Sequence, residues 1–267
     1  MLERAVLSPA FSHSLSGQNQ RWNMTKLYEA RNHILICTGY ADPEAHRHMA
    51  AHIILSPEKQ IKVVLEDTMY LCHGIVIPSG CYHKVETDGA PVMVFLYDST
   101  TNVAKRLSKV QILSEADCSS IAAIFRHWEA GRTAEGYASF ESAVLHLLGI
   151  RESVCSVTDE RITAAMAHIH ARMSEPVTCQ EIADSVFLSQ SRFSHLFKEQ
   201  TGMTFAAYLI CKRLLYVYRE ILRGCSITEA ALAAGFSSSG HFADVNHRVF
   251  GLSASSITRD LCFMKIQ

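Results

Sequence analysis

Two kinds of hydrophobic pattern divide the chain. In its first part, brief β-branched runs alternate with Pro, Gly, Asp and Ser, which predicts short strands with no helices between them. The runs are Ile34–Ile36, Ile53–Leu55, Ile61–Leu65, Ile75–Ile77 and Val92–Leu96. Closely spaced strands of this kind favour an all-β barrel or jelly roll, which we place over residues 1–107.

From residue 108 onward the apolar positions take on helical spacing. Residues 115–129 and 141–148 predict two helices, which we interpret as a helical linker over residues 108–158. Their apolar faces would either pack on the barrel or meet a second copy of the chain. The pattern leaves both open, so this region is also the candidate surface for a homodimer.

Residues 159–267 predict a second, all-α domain that contains two helix-turn-helix units. Each unit opens with a capping box, in which a Thr or Ser precedes a Glu by three positions: Thr178 with Glu181, and Ser226 with Glu229. A long helix over residues 204–223 separates the units, and a short last helix is expected near residues 253–259. Two such units in tandem indicate a protein that reads two adjacent segments of a DNA groove.

The second helix of each unit is the candidate recognition helix. Its polar outer face should hold the DNA contacts, although any surface helix has a solvated face. In the first unit these contacts are Gln190, Ser191, Arg192, Ser194, His195 and Lys198; in the second they are Ser239, His241, Asp244, His247 and Arg248. The outer face of the second helix is less suited to base recognition, because Asp244 repels phosphates. Asp244 could still accept a hydrogen bond from cytosine.

Charge and cysteine usage add modest support for a DNA-binding protein of the cytoplasm. Residues 161–267 hold 11 Lys and Arg against 8 Asp and Glu, whereas the remaining residues hold 14 against 18, so the basic excess lies in the predicted DNA-binding half. The nine cysteines form no closely spaced pair, which is typical of reduced thiols in a cytoplasmic protein. Every apolar stretch is too short to span a bilayer, so we expect no membrane partner.

The stretch from about residue 160 to 262 resembles the AraC/XylS family of bacterial transcription regulators. The similarity rests on Ser189, on residues 193–208, on Arg213 and Leu214, and on residues 227–253. It implies that the helix over residues 204–223 holds two recognition helices against one face of DNA. Four residues depart from the family pattern, namely Phe187, Asp244, Asn246 and Ala254, and all but the first fall on the second unit.

A second resemblance concerns histidines in the strand region. His46, His48 and His52, followed by Pro78, Gly80 and His83, are similar to the two motifs of the cupin barrel. Neutral imidazoles that converge inside a barrel can bind Zn, Ni, Cu or Fe(II). The alternative is that they line an effector pocket without metal, so we expect either a metal or a small-molecule effector there.

These patterns together predict a non-enzymatic transcription regulator. A cupin-like barrel would sense an effector, and the helix-turn-helix units would bind promoter DNA and cooperate with RNA polymerase. One alternative is a metal-dependent cupin enzyme, such as a dioxygenase, with a helical appendage. Another is a regulator whose second unit has lost its DNA contacts and which works mainly through a protein partner.

Overall fold

The computed structural model describes residues 25–30, 32–39, 44–47, 50–99, 101–150, 157–250, 253–254 and 261–265. The strands are β1 (Thr25–Glu29), β2 (His33–Thr38), β3 (Ala51–Leu55), β4 (Ile61–Leu65), β5 (Thr68–Cys72), β6 (Gly74–Ile77), β7 (His83–Glu86), β8 (Val92–Tyr97), β9 (Gln111–Leu113) and β10 (Leu261–Lys265). The helices are α1 (Asn102–Arg106), α2 (Glu115–Gly131), α3 (Ala134–Leu147), α4 (Glu160–Ala171), α5 (Cys179–Ser185), α6 (Gln190–Thr201), α7 (Phe205–Leu222), α8 (Ile227–Ala233) and α9 (Ser239–Phe250). Within these ranges no helix has the length and apolar character needed to span a bilayer.

The N-terminal part is rich in β-structure, as predicted, but its described strands form two separate sheets. The larger has seven strands in the order β10-β1-β2-β8-β3-β6-β9, and the smaller has three in the order β5-β4-β7. Within the described part of the chain, an isolated antiparallel bridge joins His46 to His83 outside these strands. The described strands therefore show a layered arrangement rather than the closed barrel that was expected.

Helices α2 and α3 cover one face of the seven-stranded sheet. Leu35 and Phe95 point to this face and share a hydrophobic core with Phe125, Trp128 and Phe140 of the two helices. Most apolar residues of the predicted linker are thus buried against the sheet, whereas Ile124 and Leu147 stay exposed. Strand β9 pairs with β6, so the sheet continues beyond residue 107, where we had expected it to end.

The opposite face of the large sheet is shared between two neighbours. Near β3 and β6 it packs on the three-stranded sheet, with Ile54 and Ile75 against Val63 and Val85. Near β1, β2 and β8 it packs on the C-terminal helices. There a single hydrophobic core joins sheet residues to helical residues, including Leu27, Ile34, Leu96, Leu214 and Phe242. The two domains are consequently held together by a common core.

The C-terminal domain is helical from α4 to α9, but the expectation that it is helical throughout was wrong. Strand β10 lies parallel to β1, in a register that runs from Thr25 opposite Leu261 to Glu29 opposite Lys265. This strand forms by pairing with the open edge of β1, which local sequence does not reveal. Most of the short helix expected near residues 253–259 lies outside the described residues.

Candidate nucleic-acid interface

The first helix-turn-helix unit consists of α5 and α6. Its capping box is present, because the Thr178 hydroxyl accepts from the Glu181 backbone N–H at 3.2 Å and the Glu181 carboxylate accepts from the Thr178 N–H at 2.8 Å. Helix α6 begins after Ser189, whose hydroxyl caps the Arg192 N–H. Phe193 is fully buried beneath α6, so the opposite side of this helix faces outward.

The second unit consists of α8 and α9 and repeats the same construction. The Ser226 hydroxyl and the Glu229 carboxylate form the capping box of α8. The Ser238 hydroxyl then accepts from the His241 backbone N–H at 3.0 Å at the beginning of α9. Phe242 is fully buried under α9, in the position that corresponds to the inner face of the first recognition helix. The tandem architecture that the sequence predicts is therefore present.

The turns of the two units share a backbone conformation but not a residue type. Phe187 follows the C-cap of α5 with φ of 56°, and Gly235 follows the C-cap of α8 with φ of 79°. A Cβ at Gly235 would lie 3.2 Å from the guanidinium of Arg213, whereas the Phe187 side chain is 96% exposed. Phe187, which departs from the family pattern, thus has the left-handed backbone that Gly235 has in the second turn.

Helix α6 presents most of its predicted contacts to solvent. Gln190, Ser191, Arg192 and His195 are exposed, while Ser194 and Lys198 are half-buried. The Ser194 hydroxyl lies 3.4 Å from the thiol of Cys179, and Lys198 lies beside Lys105 of α1. The neighbouring charge of Lys105, followed by partial burial, lowers the pKa of Lys198. A second cation from the N-terminal domain thus lies at the end of this face, and the sequence carried no signal for it.

Helix α9 likewise exposes His241, His247 and Arg248 to solvent. Ser239 is half-buried, and the Ser237 N–H and hydroxyl donate to Nδ1 of His241. Asp244 is exposed. His247 lies with its ring 5.8 Å from the ring of His46 in the N-terminal domain. The C-terminal half of α9 therefore faces the N-terminal domain as well as solvent.

Two further contacts lie behind the second unit. Asn246 is completely buried, and its side-chain oxygen accepts from the Tyr218 hydroxyl, so the amide that replaces an apolar family residue has a partner. Burial raises the pKa of Tyr218 well above its usual value, which keeps this donor protonated. Arg213 donates to the backbone carbonyls of Gly235 and Glu175, at 3.4 and 3.5 Å. It thereby connects the turn of the second unit to the segment that precedes the first.

Three of the four predicted effector histidines meet where the two sheets approach each other. The ring centroids of His46 and His83 are 4.5 Å apart, and those of His52 and His83 are 4.9 Å apart. Nδ1 of His46 donates to the Glu44 carbonyl at 2.7 Å, and Nδ1 of His83 donates to the Cys81 carbonyl at 2.9 Å. Because a carbonyl only accepts, these bonds leave Nε2 of both rings as the lone-pair nitrogen.

Burial favours the neutral form of His46 and His83, since it lowers the pKa of His83 to about 4 and also lowers the pKa of His46. Neutral rings with a fixed Nδ1–H suit either a metal or a polar ligand. His48 lies outside the described residues. Within the residues that are described, no three His, Cys, Asp or Glu side chains are grouped closely enough to hold a metal ion. Metal binding at this cluster stays a prediction.

The domain interface contains a buried ion cluster that the sequence did not predict. Glu29, at the end of β1, is 3% exposed and accepts from Lys212 and Arg219 of α7. Beside it is a cavity of about 30 Å³, whose wall includes His33, Asp98, Lys212 and Arg248. Arg248, which we predict to contact DNA, is exposed and also forms part of this wall. Only the fold brings residues so far apart in sequence together.

Comparisons with known proteins agree with this geometry. Residues 182–260 match a family described as a helix-turn-helix domain. The activator RhaS of Escherichia fergusonii is 34% identical over 102 residues, which cover 38% of this chain and 36% of RhaS. The match thus spans about a third of the length of that relative.

Two solved structures are also similar. A regulator from Chromobacterium violaceum with an AraC-type DNA-binding domain has 27% identity and a TM-score of 0.35, covering 37% of this chain and 89% of that chain. ToxT from Vibrio cholerae has 12% identity and a TM-score of 0.48, covering 85% and 95%. The helix-turn-helix match, over residues 182–260, covers most of the two units that α5, α6, α8 and α9 form.

Proposed function

We propose that the protein is a sequence-specific DNA-binding transcription regulator that acts on promoter DNA and cooperates with RNA polymerase. The observation that carries this proposal is the pair of capped helix-turn-helix units, each with a buried aromatic anchor behind an outward-facing helix. The name of RhaS, an HTH-type transcriptional activator, supports the same assignment. Relatives of this kind are regulators, which favours a binding function over an enzymatic one.

In this proposal helix α6 makes most of the contacts that recognise the base sequence. Its exposed Ser191, Arg192 and His195 offer hydrogen-bond donors at the spacing of one helix face, as a recognition helix requires. Helix α9 contributes less, because Asp244 is exposed toward any approaching phosphate and His247 lies beside His46. Its role is positioning, through the backbone and side chains at its N-terminal end.

The N-terminal sheets serve as the effector-sensing domain. We place the effector, a metal ion or a small polar molecule, at His46, His52 and His83, together with His48. Any effector changes DNA affinity only if it binds two arrangements of the chain with different free energies. The shared core and the contact between His46 and His247 offer a direct mechanical connection from this site to α9.

The test begins with selection of a binding sequence from a random duplex library, followed by affinity measurements on that duplex. We expect His195→Ala to reduce the preference for the selected sequence over random DNA by about 1–3 kcal/mol, the value of one good base contact. His168→Ala replaces an exposed histidine on α4 and is the matched control. If the purified chain shows no sequence preference, or if His195→Ala leaves that preference unchanged, the assignment is wrong.

The same assay tests the sensing role. Affinity for the selected duplex is measured with and without added Zn²⁺ and Ni²⁺, in the unsubstituted chain and in His83→Ala. A metal-dependent change that His83→Ala abolishes supports a metal effector. A response to metal that survives this substitution assigns the metal to another site.

A further inference from the structure

Among the described strands, β5 is an open edge of the three-stranded sheet, and it carries apolar side chains on its outer face. Met69 and Leu71 are each 64% exposed. Tyr70, which lies between them, and Cys72, which follows Leu71, face the inner side of the sheet. Natural edge strands usually carry Lys, Pro or a bulge that discourages pairing with another chain. The sequence of β5, Thr-Met-Tyr-Leu-Cys, contains none of these.

The free backbone groups of this edge belong to the same two residues. A two-residue turn connects β4 to β5 with Leu65 opposite Thr68, which makes that pair hydrogen-bonded. Since hydrogen-bonded and non-hydrogen-bonded pairs alternate along an antiparallel ladder, Thr68, Tyr70 and Cys72 direct their amides toward β4. The N–H and C=O groups of Met69 and Leu71 therefore point away from the sheet.

We propose that β5 is a self-association surface, on which β5 of a second copy of this chain pairs antiparallel about a twofold axis at Tyr70. In this register Met69 exchanges backbone hydrogen bonds with Leu71 of the second copy, and Leu71 does the same with Met69 of the second copy. Both apolar side chains then meet on one outer face. The two three-stranded sheets become one continuous sheet.

Charge favours a second copy as the occupant. The strand itself is uncharged, and on the same outer face Lys62 and Lys84 each pair with Glu86 at 2.9 Å. Beyond the strand, the twofold register places Asp67 opposite His73 of the second copy, so no like charges are opposed. This surface is distinct from the linker helices, most of whose apolar residues are buried on the large sheet.

The first experiment is sedimentation velocity on the full chain over a range of concentrations, with Leu71→Lys as the test variant. We expect the unsubstituted chain to dimerise and Leu71→Lys to weaken the dimer by at least about tenfold, since a lysine on an edge strand opposes pairing. Ile112→Lys is the matched control, because Ile112 is 47% exposed on β9, an edge strand of the large sheet. A chain that is monomeric at every concentration, or a dimer that Leu71→Lys does not weaken, overturns the proposal.

A second variant tests the register and does not depend on that substitution. Tyr70→Cys places thiols at the twofold axis in a non-hydrogen-bonded pair, where the chains approach closely enough for a disulfide. Mild oxidation should give a covalent dimer through residue 70, identified by peptide mass. Formation of dimer without this linkage overturns the register. Because the proposal does not depend on DNA binding, its failure leaves the proposed function untouched.

Discussion

At the scale of the residue, the turns of the two helix-turn-helix units adopt the same left-handed backbone at Phe187 and at Gly235, but the energetic cost differs between the two residues. A left-handed backbone is nearly free for glycine but costs other residues about 1–2 kcal/mol. Gly235 meets this requirement, and the nearby Arg213 guanidinium leaves little room for a side chain. Phe187 adopts the same conformation with its ring almost fully in solvent, so burial of the ring does not offset the strain.

We therefore predict that Phe187→Gly stabilises the protein. The gain in unfolding free energy should be about 0.5–1 kcal/mol, because relief of strain exceeds the added flexibility of glycine in the unfolded chain. Urea unfolding followed by circular dichroism measures it. Gly235→Ala is the opposing control, since it adds both strain and a contact with Arg213, and it should lower stability. A loss of stability in Phe187→Gly would mean that the ring makes a contact that the exposed turn does not show.

At the scale of the element, what the sequence predicted follows from where each signal lies. The capped helices α5, α6, α8 and α9 were predicted because a cap and a periodic apolar face are local properties. Strands β1, β5, β7, β9 and β10 were not predicted. Strands β7, β9 and β10 are short segments that pair with strands distant in sequence, as when β10 joins β1. Strand β5 in addition keeps its apolar side chains in solvent, so the usual burial pattern is reversed.

The caps themselves yield a prediction at this scale. Ser226→Ala removes the hydroxyl that accepts from the Glu229 N–H and should cost about 1 kcal/mol of stability. Ser120→Ala is the control, because Ser120 is exposed inside α2, where alanine is the better helix former. Thermal unfolding of both variants makes the comparison. Equal stability of the two variants would show that the capping box contributes nothing measurable to α8.

The candidate site, like the fold, was predictable only in part from the sequence. Helical periodicity identified the outer face of α6, and the positions of His195 and Arg192 in solvent agree with it. It could not show that Arg248 lines a cavity between domains or that Lys105 lies beside Lys198. Those contacts arise from how the N-terminal domain packs on the helices, and periodicity along one helix contains no information about a neighbour.

At the scale of the whole molecule, Glu29 connects the large sheet to the long helix between the helix-turn-helix units. Its carboxylate accepts from two cations that are themselves largely buried, Lys212 at 2.5 Å and Arg219. Burial alone would lower the pKa of Lys212, but the attraction of Glu29 raises it, so the lysine stays charged. The cations depend on this carboxylate because water has little access to them.

We predict that Glu29→Gln destabilises the protein by about 3 kcal/mol, since it removes the carboxylate that the two largely buried cations share. Urea unfolding of the full chain measures this loss. Glu86→Gln is the control, because the Glu86 carboxylate meets Lys62 and Lys84 at the surface, where such pairs contribute little. If Glu29→Gln behaves like Glu86→Gln, the ion cluster does not hold the domains together.

The parallel pairing of β10 with β1 also has a consequence for how the protein is made. A ribosome synthesises β1 early and β10 only after all the described helices, so the large sheet is incomplete until translation has passed residue 265. Until then the edge of β1 lacks this neighbour, and open strand edges favour aggregation. A nascent chain that stalls within the helix-turn-helix region should therefore depend on chaperones more than the finished protein does.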